Sequence, residues 1–190
     1  MKAVLMSIQP KWCELIASGK KTVEVRKTKP KLETPFKVYI YCTQGKFADL
    51  GIIGQEMYEK RCKVIGEFVC DKVVKFENSL YDEALQETVA RSCVPMYDLL
   101  VYIGKQDYGY GWHITDLVIY DKPRGLGEFI VPSKIGCCNE GKCRGCKYLD
   151  RGNGFNIEDD CNAEFSTDEY KPLRRPPQSW CYCEEVNDET

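Results

Sequence analysis

The sequence predicts an α+β fold, a small mixed β-barrel of short strands flanked by short helices at its openings. Three observations point there. Hydrophobic periodicity switches from helical to strand-like within the twenty residues Ser7–Arg26. The other strand-like runs are short and separated by helical segments. Prolines stand at the joints, at Pro35, Pro95, Pro123 and Pro176-Pro177. A chain of 190 residues with 43% apolar content is long enough for one domain with a real core.

Ala3-Val-Leu-Met6 opens a first strand. Pro10 suits the first position of a helix, where its missing N–H is no loss. Trp12, Leu15 and Ile16 recur at i, i+3 and i+4 and give that helix an apolar face. Gly19 can take the left-handed conformation that ends a helix. Val23 and Val25 then alternate with Thr22, Glu24 and Arg26, so Glu24 and Arg26 point to one side of a strand. Lys27–Pro35 reads as a loop and Phe36–Thr43 as a strand of aromatic and β-branched residues. Gly45–Arg61 lacks clear periodicity and reads as a loop with one short helical turn.

Cys62–Phe76 is one long strand or a strand pair, with Gly66 marking a bulge or a close backbone approach. Leu80–Arg91 reads as a helix with Asp82 and Glu83 in its first turn. Pro95–Ile103 is a second helix, ended by Gly104. Lys105–Gly111 reads as a loop of glycines and aromatics, Trp112–Tyr120 as a strand, and Ser179–Glu184 as a last strand.

Gly19, Lys21, Glu24 and Arg26 form the pattern G-x-K-x-x-E-x-R. With Ile8–Trp12, Lys63–Asp71, Gly111–Pro123 and Arg175–Tyr182, this stretch resembles the ASCH family. The resemblance covers most of residues 1–132 and the last strand, and it implies a PUA-like barrel. It implies too that Lys21, Glu24 and Arg26 line a cleft beside that barrel. A lysine and an arginine beside a carboxylate can grip a phosphate or a polar base edge. A lysine that loses solvent there becomes a usable base or nucleophile. Spacing alone also allows a surface ion pair between Glu24 and Arg26, worth little.

Tyr108, Tyr110 and Trp112 offer faces on which a base can stack, or ordinary packing. Asp116 interrupts an apolar strand and is a candidate for hydrogen bonding to a bound base. His113, the only histidine, reads as structural, which leaves no second histidine for acid–base catalysis.

The net charge of −2 argues against a generally adhesive nucleic-acid protein. Yet seven lysines and arginines between Lys20 and Lys37 face only Glu24 and Glu33. That stretch is a local phosphate-binding patch or a solvated loop. No apolar run is long enough to span a bilayer, and Lys11 and Glu14 interrupt any signal-peptide layout. The expectation is a cytoplasmic monomer without membrane association.

Twelve cysteines are many for a reducing compartment, where disulfides are rare. Cys42, Cys62 and Cys70 lie near strands and read as small buried hydrophobes. Residues 133–175 form a cysteine-rich insertion within a single domain spanning 1–190. Cys138, Cys143, Cys146 and Cys161 give four thiols suited to tetrahedral zinc, with Cys137 a rival for the first place. Cys181 and Cys183 share one strand face and are alternatives to Cys161. A polar, glycine-rich segment of this kind builds no core of its own, so structural zinc would hold it. Free thiols or a redox role are the other readings.

Three functions compete. The first is binding of RNA or a modified nucleotide in the cleft, by Lys21, Glu24, Arg26, Tyr110, Trp112 and Asp116. The second is hydrolysis. Some small ASCH proteins resemble amidohydrolases that deacylate N4-acylcytidine with a lysine, a threonine and a glutamate. Lys21 matches the lysine, but Glu24 occupies the threonine's place, and Thr22 is two residues off. Lys21 and Glu24 would then be catalytic, with Glu67 or Glu83 as the further glutamate. Others resemble ribonucleases. The third is a regulatory domain that docks a protein through the insertion.

Overall fold

The computed structural model describes residues 1–46, 51–132 and 170–186. In chain order these residues form β1 (Lys2–Ile8), α1 (Pro10–Ala17), β2 (Val23–Arg26), β3 (Phe36–Cys42) and α2 (Gln55–Glu59). Then come β4 (Lys63–Cys70), β5 (Val73–Glu77), α3 (Glu83–Ser92), α4 (Met96–Ile103), β6 (Tyr108–His113) and β7 (Thr115–Arg124). A 3₁₀ turn at Leu126–Glu128, β8 (Ile130–Pro132), β9 (Tyr170–Pro172) and β10 (Trp180–Glu184) complete them.

The strands make a five-stranded sheet ordered β10-β1-β3-β4-β7, a three-stranded sheet β2-β6-β5, and a β8-β9 pair. The architecture is α+β, as expected; among the described residues the strands do not close into a barrel. β1 lies between β3, to which it runs parallel, and antiparallel β10. Its Val4, Met6 and Ile8 enter one apolar cluster while Ala3 and Leu5 enter another. Both faces of the strand are therefore covered, and its apolar run is continuous rather than alternating. A third cluster, with Phe76, Leu85, Leu99 and Ile103, packs α3 and α4 onto the three-stranded sheet.

Cys62–Phe76 is a strand pair whose members join different sheets. Gly66 is the expected close approach: a Cβ there would lie 2.3 Å from the Val118 carbonyl oxygen. The register between β4 and β7 shifts beside it. The helix at 80–91 starts later than its periodicity suggests, because Asp82 is its cap and accepts from the Leu85 N–H at 2.7 Å.

Other expectations need correction. Trp112–Tyr120 is not one strand. Trp112 and His113 end β6, Thr115–Tyr120 belong to β7, and the chain changes sheet at Ile114 between them, with Asp116 at φ 46°. The glycine-rich segment 108–111 is not loop but β6. Its glycines admit neighbours: a Cβ at Gly109 would lie 2.5 Å from the Phe76 ring, and one at Gly111 would lie 2.9 Å from Thr88 Oγ1. Cys42 and Cys70 are buried, and burial pushes the Cys70 thiol up to about 12. Cys62 is exposed instead, at φ 60° on the turn before β4.

Candidate functional site

Gly19, at φ 71°, turns the chain out of α1. The turn is closed by N–H donation from Gly19 to Ile16 and from Lys21 to Leu15. Thr22 N–H then reaches the Arg91 carbonyl in α3. This brings Lys21 to the C-terminal end of α3, where free carbonyls favour a cation. Lys21 Nζ donates to the Ser92 carbonyl at 2.7 Å and pairs with Glu24 Oε2 at 3.2 Å. It also lies 5.3 Å from the centre of the Trp12 ring.

Glu24 pairs through Oε1 with Arg26 Nη1. The same Nη1 donates to the Val25 carbonyl at 2.9 Å, and Nη2 donates to the Ser7 carbonyl at 2.8 Å. Lys21, Glu24 and Arg26 are only 2%, 4% and 8% exposed. The surface ion pair that spacing alone allowed is therefore a buried chain of three charges. Burial opposes the charge on Glu24, but the Arg26 guanidinium and then the Lys21 ammonium outweigh it and hold the carboxyl below its usual value. Arg26 Nε is buried without a hydrogen-bond partner among the described residues. Glu24 Oε2 is buried too, and meets Lys21 as an ion pair rather than an aligned hydrogen bond.

The three charges lie along a cleft of about 550 Å³. Trp12 and Tyr102 supply its aromatic surface, Lys11 and Lys46 also line it, and Gln178 and Ser179 come from the approach to β10. That volume falls in the usual range for small-ligand sites. Trp12 and Tyr102 were missed at the level of sequence, since each reads there as one more apolar residue of a short helix.

Residues 6–90 match the family model of the ASCH domain. Over this stretch the chain is similar to an ASCH domain. Its fold is similar to the crystal structure of ASCH from Zymomonas mobilis, with a TM-score of 0.50 and 20% identity over 65% of this chain and 73% of that one. A variant of the same Zymomonas protein matches with a TM-score of 0.49 and 18% identity, over 66% of this chain and 77% of its own. No curated protein matches the chain.

Lys21, Glu24 and Arg26 meet in the cleft, but the other expected contacts do not join them. Trp112 is fully buried, edge-on to Phe36 at 5.5 Å and near Trp180 at 5.9 Å. Tyr110 lies beyond the cleft, against Tyr108 at 5.7 Å, and Asp116 is exposed at the start of β7. Glu67 pairs with Lys37 at 2.8 Å and Glu83 opens α3, so neither lines the cleft. His113 is half-buried beside Arg91, and burial and then that guanidinium lower its pKa.

The cysteines expected to bind zinc, Cys138, Cys143, Cys146 and Cys161, lie outside the described residues, as does the bulk of the 133–175 insertion. Among the described residues no cluster of histidine, cysteine, aspartate or glutamate is placed to hold a metal ion. No helix among them is long and apolar enough to cross a membrane.

Proposed function

We propose that the ASCH cleft binds a nucleotide, either free or as one residue of an RNA chain. The observation that carries this reading is the buried Lys21–Glu24–Arg26 chain on the cleft, with Arg26 Nε left as an unspent donor and Glu24 Oε2 held only by the Lys21 ammonium at 3.2 Å. The other polar atoms of the three are engaged by each other and by the carbonyls of Ser7, Val25 and Ser92. A neighbouring donor and acceptor suit the polar edge of a base better than a phosphate. The cleft lysines Lys11 and Lys46 supply positive charge for the phosphate, and Trp12 and Tyr102 supply faces for the ring.

In this reading the two larger sheets are the walls of a PUA-like barrel. Residues 1–190 act as one cytoplasmic, monomeric domain. An amidohydrolase of the lysine–threonine–glutamate kind finds less support. Glu24 stands in the threonine's place, and neither candidate glutamate reaches the cleft.

Titration calorimetry with the four ribonucleoside monophosphates and N4-acetylcytidine tests the proposal. Saturable binding is expected, with Trp12→Ala weakening it about tenfold through lost stacking. Absence of binding by every one of these probes would overturn it. Release of cytidine from N4-acetylcytidine, abolished by Lys21→Ala, would replace it with the hydrolase.

Structural zinc on Cys138, Cys143, Cys146 and Cys161 is part of the same proposal. Protein prepared without chelators is expected to hold about one equivalent of zinc by elemental analysis, set by the four-thiolate site. Less than about half an equivalent would rule that site out.

A further inference from the structure

Beyond the cleft, three lysines lie on three tyrosine rings in one continuous patch. Lys27 Nζ is 5.3 Å from the centre of the Tyr102 ring, and Tyr102 lines the cleft. Lys29 Nζ is 5.9 Å from the Tyr110 ring, and Lys75 Nζ is 4.1 Å from the Tyr108 ring. Tyr108 and Tyr110 meet edge to face at 5.7 Å. Register makes the patch contiguous with the cleft, because Arg26 of β2 stands opposite Tyr110 of β6, which stands opposite Lys75 of β5. Opposite partners in antiparallel strands share a face of the sheet. Two anchors hold the lysine-bearing loop. Trp180 Nε1 donates to Thr28 Oγ1 at 3.1 Å, and the Lys31 N–H donates to the Tyr182 hydroxyl at 2.7 Å. Glu77, opposite Tyr108, ends the positive stretch.

We infer that this lysine–tyrosine patch is a track for single-stranded RNA leading out of the cleft. The inference rests on the nucleotide-binding reading of the cleft and extends it to the neighbouring nucleotides. Rings and ammonium groups in alternation match the two repeating parts of a single strand, flat bases and phosphates. An ammonium resting on an exposed ring is held more weakly than a stacked base. A base therefore displaces the lysine, and the freed ammonium meets the adjacent phosphate. A folded duplex lacks free base faces and gains nothing from the rings. Tyr108, at 38% exposure, and exposed Lys29 and Lys75 need no rearrangement of the core to engage.

The test compares a 5′-fluorescein-labelled ten-nucleotide oligouridylate with uridine monophosphate on the full chain. The oligomer is followed by anisotropy and the mononucleotide by calorimetry. The variants are Lys29→Ala with Lys75→Ala, and Tyr108→Ala. Each variant is expected to weaken the oligomer about tenfold while leaving the mononucleotide unchanged. The double lysine variant should also flatten the oligomer's salt dependence by about 1.4 in log–log slope, the share of two single-strand phosphate contacts. The track is wrong if the oligomer binds no tighter than the mononucleotide, or if the variants leave it unchanged. Oligomer binding that depends on Lys29, Lys75 and Tyr108 without mononucleotide binding would keep the track and overturn the cleft reading. Failure of both ligands would overturn both.

Discussion

Glu24→Ala is expected to cost about 3–5 kcal/mol of stability, because it strands two buried cations without their shared anion. Glu24 is the one carboxylate between Lys21 and Arg26, and all three are almost wholly shielded from water. Truncation would leave Lys21 with the Ser92 carbonyl, and Arg26 with the Ser7 and Val25 carbonyls, as their remaining anchors. Chemical denaturation of parent and variant at pH 7 reads the difference; a loss below about 1 kcal/mol would place the triad in the class of exposed ion pairs. Glu24→Gln keeps the shape and removes the charge, and it isolates the pH dependence. The carboxyl of the folded chain titrates below its ordinary value of 4.5. Its charge therefore stabilises the fold above that value, and the contribution fades as pH falls through 4.5 toward the lowered value. The stability gap between parent and Glu24→Gln should narrow as pH falls from 7 toward 3, and a gap that widens would contradict the assignment.

Trp112→Ala is expected to destabilise by about 3–5 kcal/mol, the usual loss for a large aromatic deleted from a packed core. Its indole is fully buried between Phe36 and Trp180, on the same face of β6 as Tyr110. Since Trp112 does not line the cleft, the folded fraction of the variant should bind nucleotide with the parent's affinity. Denaturation and titration on one preparation separate the two effects. A variant of undiminished stability and lost affinity would make Trp112 a ligand contact after all.

The contrast between Trp112 and Trp12 shows where sequence reading stops. Period-two alternation correctly put Glu24 and Arg26 on one side of a strand. It could not say that this side is covered, since the covering groups are Ser7, 19 residues from Arg26, and Ser92, 71 residues from Lys21. Helical period likewise marked Trp12, Leu15 and Ile16 as one stripe. Ile16 is fully buried, whereas half-buried Trp12 meets the cleft. The break at Ile114 had only an indirect local sign, Asp116, a polar residue in an apolar run and one of the types that tolerates the left-handed conformation it adopts here. The glycines of β6 had a sign that admits two meanings. Glycine marks both loops and close packing, and only the positions of Phe76 and Thr88 decide between them. Gly19 was legible because its need, a left-handed turn out of α1, is local; at Gly66 the residue type marked a bulge or close approach, but only the fold shows that Val118 is the neighbour.

The central place of β1 bears on how the chain is made. A ribosome delivers β1 early, yet one of its two partners, β10, arrives only near residue 180. The hydrogen bond from Ser7 to the Pro177 carbonyl spans 170 residues. Until synthesis reaches that point, an apolar strand keeps one open edge, the kind that recruits other chains. The growing polypeptide can assemble β1, β3 and β4 during elongation, but the central sheet is finished only after β10 leaves the exit tunnel. A pause or early stop between β7 and β10 would release a nascent chain primed for aggregation, which makes residues downstream of 132 a checkpoint for the whole domain.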